Sequence, residues 1–126
     1  MSTTEAAVMT TQEVANRLSE LFKENKWDLV QQELFAENAV SIEPHNSPGL
    51  KTVEGLAAIK KKGEDFNSTV EEMHGGYVSD LVVGGNFISC AMGIDATMKG
   101  MGRIKMDEIA VYEVKDGKIV SEQFFY

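Results

Sequence analysis

Four side chains that lie far apart in the sequence could take part in proton transfer or metal binding. Glu43 stands directly before Pro44, and His74, Asp95 and Glu108 follow in the second half of the chain. Carboxyl and imidazole groups exchange protons with bound molecules when their surroundings bring the pKa close to the working pH. The same atoms also bind metal ions, but the sequence has none of the close-spaced ligand motifs of metal sites. We therefore predict proton transfer without a metal site and without a cofactor.

Other kinds of catalytic or cofactor site are not indicated by the sequence. Gly84-Gly85 and the segment from Gly100 to Gly102 are not followed by helices, so they predict turns and not phosphate-binding loops. No nucleophilic triad and no dinucleotide-binding fingerprint is present. A lone Cys90 on an apolar strand is typical of core packing.

Charge and composition exclude several classes of partner. Twelve Lys+Arg stand against 20 Asp+Glu, a formal net charge of -8, whereas nucleic-acid binding needs a concentrated positive patch. The only basic run, Lys60 to Lys62, is interpreted as a solvated helix face. We expect no membrane span and no secretion signal, since no apolar run approaches ~20 residues. The single cysteine suits a reducing compartment, so we expect a cytoplasmic protein.

Three segments between residues 10 and 66 have the spacing of amphipathic helices. Thr10 with Glu13 three residues later is the pattern of a capping box, and apolar residues then recur at helical spacing to about Asn25. A second, shorter helix is predicted over Trp27–Leu34 and a third over Leu56–Phe66.

The remaining segments predict strands. A short strand from Ala39 to Glu43 is ended by Pro44, which cannot donate to a neighbouring strand. Hairpin signals then separate four long alternating stretches, at Glu71–Val83, Phe87–Lys99, Arg103–Val114 and Ile119–Tyr126. Long strands curl, so the predicted fold class is α+β, a cone-shaped, curled antiparallel sheet packed on three N-terminal helices. We expect one domain at residues 10–126 after a flexible N-terminus at residues 1–9.

The order of these elements and several local segments resemble a known superfamily. The segments are Trp27-Asp28, Leu34 to Ala39, Glu43-Pro44, Val111 to Ile119 and Phe124 to Tyr126. They are similar to the nuclear transport factor 2-like superfamily, and within it to the SnoaL-like and ketosteroid isomerase-like branches. The resemblance covers about residues 10–126 and implies a cone that holds one small molecule. It does not imply one function, because members include isomerases, cyclases, dehydratases and non-catalytic modules.

The resemblance also implies a role for Glu43. In the isomerase-like members, the acidic residue before this proline is the general base and faces the cavity. The two groups that stabilise the enolate in those members are missing, because Leu18 or Ser19 and Ala110 stand at the corresponding positions. An enolate without hydrogen-bond donors loses its main electrostatic stabilisation, so steroid isomerisation by that mechanism is not expected.

Strand alternation adds candidates to the same cavity. Glu108 lies two residues before Ala110, so both share a face with Tyr112. Alignment of the last strand with the superfamily places Tyr126 on the cavity wall, and period two brings Phe124 and Glu122 to that face. Trp27 and Phe66 are expected to complete the aromatic wall.

Two further candidates depend on how the strands pair. His74 either reaches the cavity or is a hydrogen-bonded structural residue. Asp95 reaches it only if the hairpin at Gly100 pairs it with Glu108, because a slip of one residue sends it to the other face. The predicted catalytic residues are therefore Glu43, His74 and Glu108, and the predicted ligand-binding residues are Trp27, Phe66, Asp95, Tyr112, Glu122, Phe124 and Tyr126.

These features predict a protein that holds a small lipophilic molecule with a carbonyl or hydroxyl group. As an enzyme it would catalyse an isomerisation, an aldol-type cyclisation or a dehydration, with Glu43 as base and His74 or Glu108 as proton donor. The alternative is a non-catalytic ligand-binding or dimerisation module of the same fold. We also expect a homodimer, since the strands at Ile88–Met98 and Ile109–Val111 offer apolar residues that three helices cannot all cover.

Overall fold

A computed structural model describes residues 8–126 of the chain. Within this range the helices are α1 (Thr11–Lys23), α2 (Trp27–Leu34) and α3 (Leu56–Ser68). The strands are β1 (Phe35–Ile42), β2 (Val53–Glu54), β3 (Val70–Val78), β4 (Val82–Gly84), β5 (Phe87–Met98), β6 (Gly102–Lys115) and β7 (Lys118–Phe125). The predicted flexible N-terminus falls mostly on residues 1–7, which lie outside the described residues.

The predicted capping box at the start of α1 is confirmed. The hydroxyl of Thr10 accepts a hydrogen bond from the backbone N–H of Glu13 at 3.1 Å, and the Glu13 carboxylate accepts one from the N–H of Thr10 at 2.8 Å. Two N–H groups that the helix itself cannot satisfy are thereby paired. No helix within residues 8–126 is long and apolar enough to cross a membrane.

The strands form a curled sheet that does not close, in the order β2-β1-β7-β6-β5-β3, with β4 also paired to β5. The α+β fold class is confirmed, but the sheet is mixed, because β1 runs parallel to β7. This pairing sets Ile42 opposite Gln123, so the ends of β1 and β7 meet at one side of the sheet. Strand β1 begins at Phe35, directly after α2, and is longer than the predicted strand from Ala39.

The predicted strand Glu71–Val83 is two strands, because the chain leaves the ladder at Ser79. The N–H of Ser79 donates to the carbonyl of Ala91 at 2.8 Å, and the N–H of Ala91 donates to the Ser79 hydroxyl at 2.8 Å. A side-chain oxygen thus replaces the backbone carbonyl that would have continued the ladder, a competition typical of serine.

The register of β5 against β6 decides which side chains face the helices. Ile88 lies opposite Tyr112 and Met92 opposite Glu108, so the even-numbered residues of both strands share the concave face. The alternating apolar residues of Ile88–Met98 are therefore mostly buried beneath the helices and are not available to a partner. The convex face exposes a different apolar set, Phe87 (45%), Ile109 (45%) and Phe125 (49%).

The hydrophobic core lies between α1, α2 and the concave face of the sheet. Its largest fully buried apolar side chains are Val14, Leu18, Leu21, Leu34, Ile59, Ile88 and Ile119. Towards α3 and β3 the concave face is not filled by side chains, and this space is the cavity that contains the candidate site.

Candidate functional site

A cavity of about 760 Å³ lies between the concave face of the sheet and the helices. This volume is within the range of small-molecule binding sites in proteins. The wall is mainly apolar, and its ring-bearing side chains are Phe22, Trp27, Phe35, Phe66, Tyr77, Tyr112 and Phe124. Trp27 packs on Phe22 with ring centroids 4.5 Å apart. Such a wall favours a ligand with a flat or apolar body.

Most of the predicted site residues line this cavity. They are Glu43, Glu108, Glu122, Trp27, Phe66, Tyr112 and Phe124. The alternation predicted for the last two strands is correct, because Tyr112 pairs with Glu122 and Ala110 with Phe124, and these side chains share the concave face. Tyr126 reaches the site through its hydroxyl, which contacts Glu43.

The placement of Asp95 at the cavity is wrong. The hairpin pairs Asp95 with Lys105 instead of Glu108, so its side chain lies on the convex face. There it accepts two hydrogen bonds of 2.9 Å from Arg103. The Arg103 guanidinium lowers the pKa of Asp95, so this carboxylate is ionised and paired with an exposed cation.

The placement of His74 at the cavity is also wrong. Its Nε2 atom lies 2.7 Å from the hydroxyl of Thr97, and its Nδ1 atom lies 3.8 Å from a carboxylate oxygen of Glu72. The reason is an irregularity in β3, where Met73 pairs with Ala96 but Gly75 pairs with Asp95, so that His74 is an extra residue. A bulge of this kind redirects a side chain, and strict alternation along the sequence does not predict it.

Glu43 is buried in a network of hydrogen bonds at one end of the cavity. Its Oε2 atom accepts from the ammonium of Lys62 at 2.8 Å, and its Oε1 atom accepts from the hydroxyl of Tyr126 at 2.7 Å. The same hydroxyl lies 2.9 Å from that of Ser47. The side chain of Glu43 is 3% exposed, so both carboxylate oxygens are held by protein groups and shielded from water.

Lys62 was interpreted from the sequence as part of a solvated run, and that interpretation is wrong. Its side chain is 13% exposed and points from α3 to the sheet, where its ammonium also donates to the hydroxyl of Ser41 at 2.7 Å. The signal that could have found it is helical spacing, because Ile59, Lys62 and Phe66 lie on one face of α3 and all line the cavity.

Glu108 lies on the cavity wall without a cationic hydrogen-bond partner among residues 8–126. Burial raises its pKa to about 7, and the negative charges of Glu43 and Glu122 act in the same direction, partly opposed by Lys62. Loss of water disfavours the anion, so this carboxyl is un-ionised in a large part of the molecules at neutral pH.

Glu122 on β7 is a second carboxyl with a raised pKa. Burial is the main cause, and the Ser41 hydroxyl and the charge of Lys62 oppose it. Burial also raises the pKa of Tyr112, whose phenol therefore stays protonated. The cavity thus combines apolar walls with a protonated phenol and two carboxyl groups whose pKa is raised by burial.

This arrangement can exchange a proton with a bound molecule. An un-ionised carboxyl donates to a carbonyl or hydroxyl oxygen, and its anion takes a proton back. The thiol of Cys90 is not a competing nucleophile, because burial raises its pKa to about 11. Among the described residues, no group of three or more His, Cys, Asp and Glu side chains could hold a metal ion. That the chemistry needs no cofactor stays a prediction.

The structure is an α+β fold of three helices on a curled, unclosed mixed sheet, with a cavity on the concave face. The family model of the SnoaL-like domain matches residues 9–126, and the chain belongs to this family. No curated protein matches the sequence.

Solved structures agree with this assignment. A protein of Mesorhizobium loti, proposed to be a SnoaL-like polyketide cyclase, is 32% identical with a TM-score of 0.86, covering 94% of this chain and 100% of its own. A nuclear transport factor 2-like protein of Burkholderia thailandensis is 14% identical with a TM-score of 0.77, and the match covers 93% of this chain and 90% of that protein. A protein of Xanthomonas campestris with a cystatin-like fold is 15% identical with a TM-score of 0.74, and the match covers 93% of this chain and 90% of that protein. The last two share the fold alone.

Proposed function

We propose that this chain binds a small lipophilic molecule with a carbonyl or hydroxyl group and catalyses a cofactor-independent proton transfer on it. The observation that carries the proposal is the Glu108 carboxyl, with a pKa of about 7, on the wall of an aromatic-lined cavity. A group whose pKa lies near the working pH both donates and accepts protons efficiently. Glu122 is the second donor, which hydrogen-bonds the substrate oxygen as negative charge develops on it.

Glu108 takes the place of Glu43 as the proposed base. Each oxygen of Glu43 already accepts a hydrogen bond, one from Lys62 and the other from Tyr126. Glu108 has no cationic hydrogen-bond partner among residues 8–126, so it is the carboxyl that is free to serve a substrate. His74 lies on the convex face and has no part in the proposal. Glu43 is instead held in its ion pair with Lys62 at one end of the cavity.

The reaction classes we propose are isomerisation, aldol-type cyclisation and dehydration. Each begins when a carboxylate takes a proton from the carbon next to a carbonyl group. In an isomerisation the proton returns to another carbon, in an aldol-type cyclisation the carbanion attacks a second carbonyl whose oxygen takes the proton, and in a dehydration the proton goes to the β-hydroxyl, which leaves as water. One carboxyl near neutrality can take and return the proton in each case. The description of the Mesorhizobium loti relative as a proposed polyketide cyclase supports cyclisation among these classes.

A non-catalytic binding module is the second candidate. It is favoured by one of the two positions that hold oxyanion donors in isomerase-like members, since Ala110 has no polar side chain. At the other position Leu18 is fully buried in the core, and the alternative residue Ser19 lines the cavity. In that case Glu108 and Glu122 would hydrogen-bond a ligand without turning it over.

Proton exchange in heavy water separates the two candidates. A panel of apolar ketones is incubated with the protein in D2O, and deuterium at the carbon next to the carbonyl is followed by mass spectrometry. We expect enzyme-dependent incorporation that falls by ~100-fold or more in Glu108→Gln. The control is Glu113→Gln, on the same strand but opposite Phe87 on the convex side. Ligand binding without exchange would favour the binding module.

A further inference from the structure

The ammonium of Lys62 is fixed by hydrogen bonds from three directions. It donates to Ser41 Oγ at 2.7 Å, to Glu43 Oε2 at 2.8 Å and to the backbone carbonyl of Lys51 at 3.1 Å. An ammonium has three N–H bonds, so each has an acceptor. The ammonium also lies 5.9 Å from the ring centroid of Phe124. Lys62 therefore has no donor left for a ligand and acts through the groups that it holds.

Glu43 is the group that Lys62 holds most closely. Its second oxygen is bound by the Tyr126 hydroxyl at 2.7 Å, and its backbone N–H donates to the Thr52 hydroxyl at 2.9 Å. A buried carboxylate that accepts from a cation and a phenol is stabilised as the anion. Among residues 8–126, neither Glu108 nor Glu122 is within ion-pair distance of a cation.

We propose that Lys62 is a positioning residue, which holds Glu43 as an anion and thereby leaves the exchangeable proton of the cavity to Glu108 and Glu122. The inference rests on the proton-transfer function proposed above. Without Lys62, Glu43, Glu108 and Glu122 would have no cation within ion-pair distance among the described residues, and the proton would be distributed among all three. The lysine thus decides which carboxyl is the acid.

The titratable groups that act on Glu108 are Lys62 on α3, Glu43 directly after β1, and Glu122 on β7. The charge of Glu108 in turn raises the pKa of four groups on the neighbouring elements, which are Tyr77, Cys90, Tyr112 and Tyr126. Of these groups, Lys62 and Glu43 contact each other directly, at 2.8 Å. Through this pair Lys62 sets the protonation state of Glu108, although Lys62 itself does not contact the substrate in the proposed reaction.

The test is a titration of the ligand-free protein, with glutamate labelled at its carboxyl carbon and followed by NMR from pH 4 to 9. In Lys62→Met, we expect one more glutamate to titrate above pH 5 than in the wild type. Lys62→Arg should keep the wild-type number, because the charge is restored. The control Lys61→Met, whose side chain is 74% exposed, should leave the titration unchanged. An unchanged number in Lys62→Met would overturn the inference.

A second variant keeps the inference testable if Lys62→Met does not fold. Glu43→Gln removes the proposed anion, so the midpoint of Glu108 should move down by on the order of 1 pH unit. An unmoved midpoint would mean that Glu43 carries no charge in the wild type, and the inference would fail. Glu108→Gln tests the proposed function separately, since it must remove a titration near pH 7 whatever the role of Lys62.

Discussion

The hydroxyl of Tyr77 donates a hydrogen bond of 2.6 Å to Oδ1 of Asp107, and so joins β3 to β6 across the strand between them. The tyrosine ring passes over Gly93 of β5, which has Tyr77 and Asp107 as its partners on either side. Because β3 is an edge strand and lines the cavity, this bond ties one wall of the site to the middle of the sheet.

Replacement of Gly93 by alanine should therefore destabilise the protein. A Cβ atom would lie 2.5 Å from Cε1 of Tyr77 and 2.7 Å from the backbone carbonyl oxygen of Met106, and the backbone contact cannot be relieved by a side-chain rotation. We expect a loss of about 1–3 kcal/mol in the free energy of unfolding, measured with urea. Gly84→Ala is the matched control, because its Cβ would meet no atom within 4 Å. Equal losses in the two variants would contradict the steric argument.

The raised pKa of Glu108 predicts how stability depends on pH. Its folded-state pKa of about 7 lies above the ordinary value of 4.5, so the folded protein binds this proton more tightly than the unfolded chain. That contribution is complete below pH 4.5 and is lost as the pH rises through 7. The free energy of unfolding of the wild type should fall between pH 5 and pH 8. In Glu108→Gln this fall should be smaller by on the order of 1 kcal/mol, a figure discounted for the partial exposure of Glu108.

Urea unfolding at the two pH values measures this effect, and Glu64→Gln on the exposed side of α3 is the control. A wild type and a Glu108→Gln variant with the same pH dependence would show that Glu108 titrates alike in the folded and unfolded states. The assignment of Glu108 as the acid of the cavity would then lose its basis.

His74 and Asp95 should be dispensable for ligand binding and turnover. Both lie outside the cavity, with His74 against Thr97 and Asp95 against Arg103. We expect His74→Asn and Asp95→Asn to keep ligand affinity and exchange rate within about 2-fold, and to change stability by less than ~1 kcal/mol, because the Asp95 pair is on the surface. Calorimetry and the D2O exchange assay measure these effects. A 10-fold loss in either variant would mean that the convex face takes part in the function.

The convex face of the sheet is the expected dimer interface. Phe87, Ile109 and Phe125 are each about half exposed there, a concentration of apolar surface that favours association. Light scattering at micromolar concentration should give twice the mass of one chain, and Ile109→Glu should reduce it to one. Met101→Glu, which is 68% exposed at the hairpin tip, should leave the mass unchanged. A single-chain mass for the wild type would exclude the dimer.

Part of the candidate site could be predicted from the sequence because it depends on local rules. Asp116 and Gly117 both have positive φ, at 51° and 77°, as a two-residue hairpin turn requires, and this turn pairs Lys115 with Lys118. The register shifts by one residue between Val114 and Glu113, and beyond that shift period-two alternation, counted back from Phe124 opposite Ala110, puts Tyr112 and Glu122 on one face. The capping box of α1 is local in the same sense, since both of its bonds join residues three apart.

The rest of the site was decided by tertiary structure, because it depends on contacts between distant segments. Lys62 and Glu43 are 19 residues apart, and Tyr126 and Glu43 are 83 apart, so no local pattern shows that they share a network. The parallel pairing of β1 with β7 brings these groups together, while an extra residue in β3 turns His74 away. The alternation of side chains along a strand and the spacing along a helix are set by the backbone within a few residues. The pairing of distant strands and the positions of β-bulges are set only when the whole sheet packs against the helices.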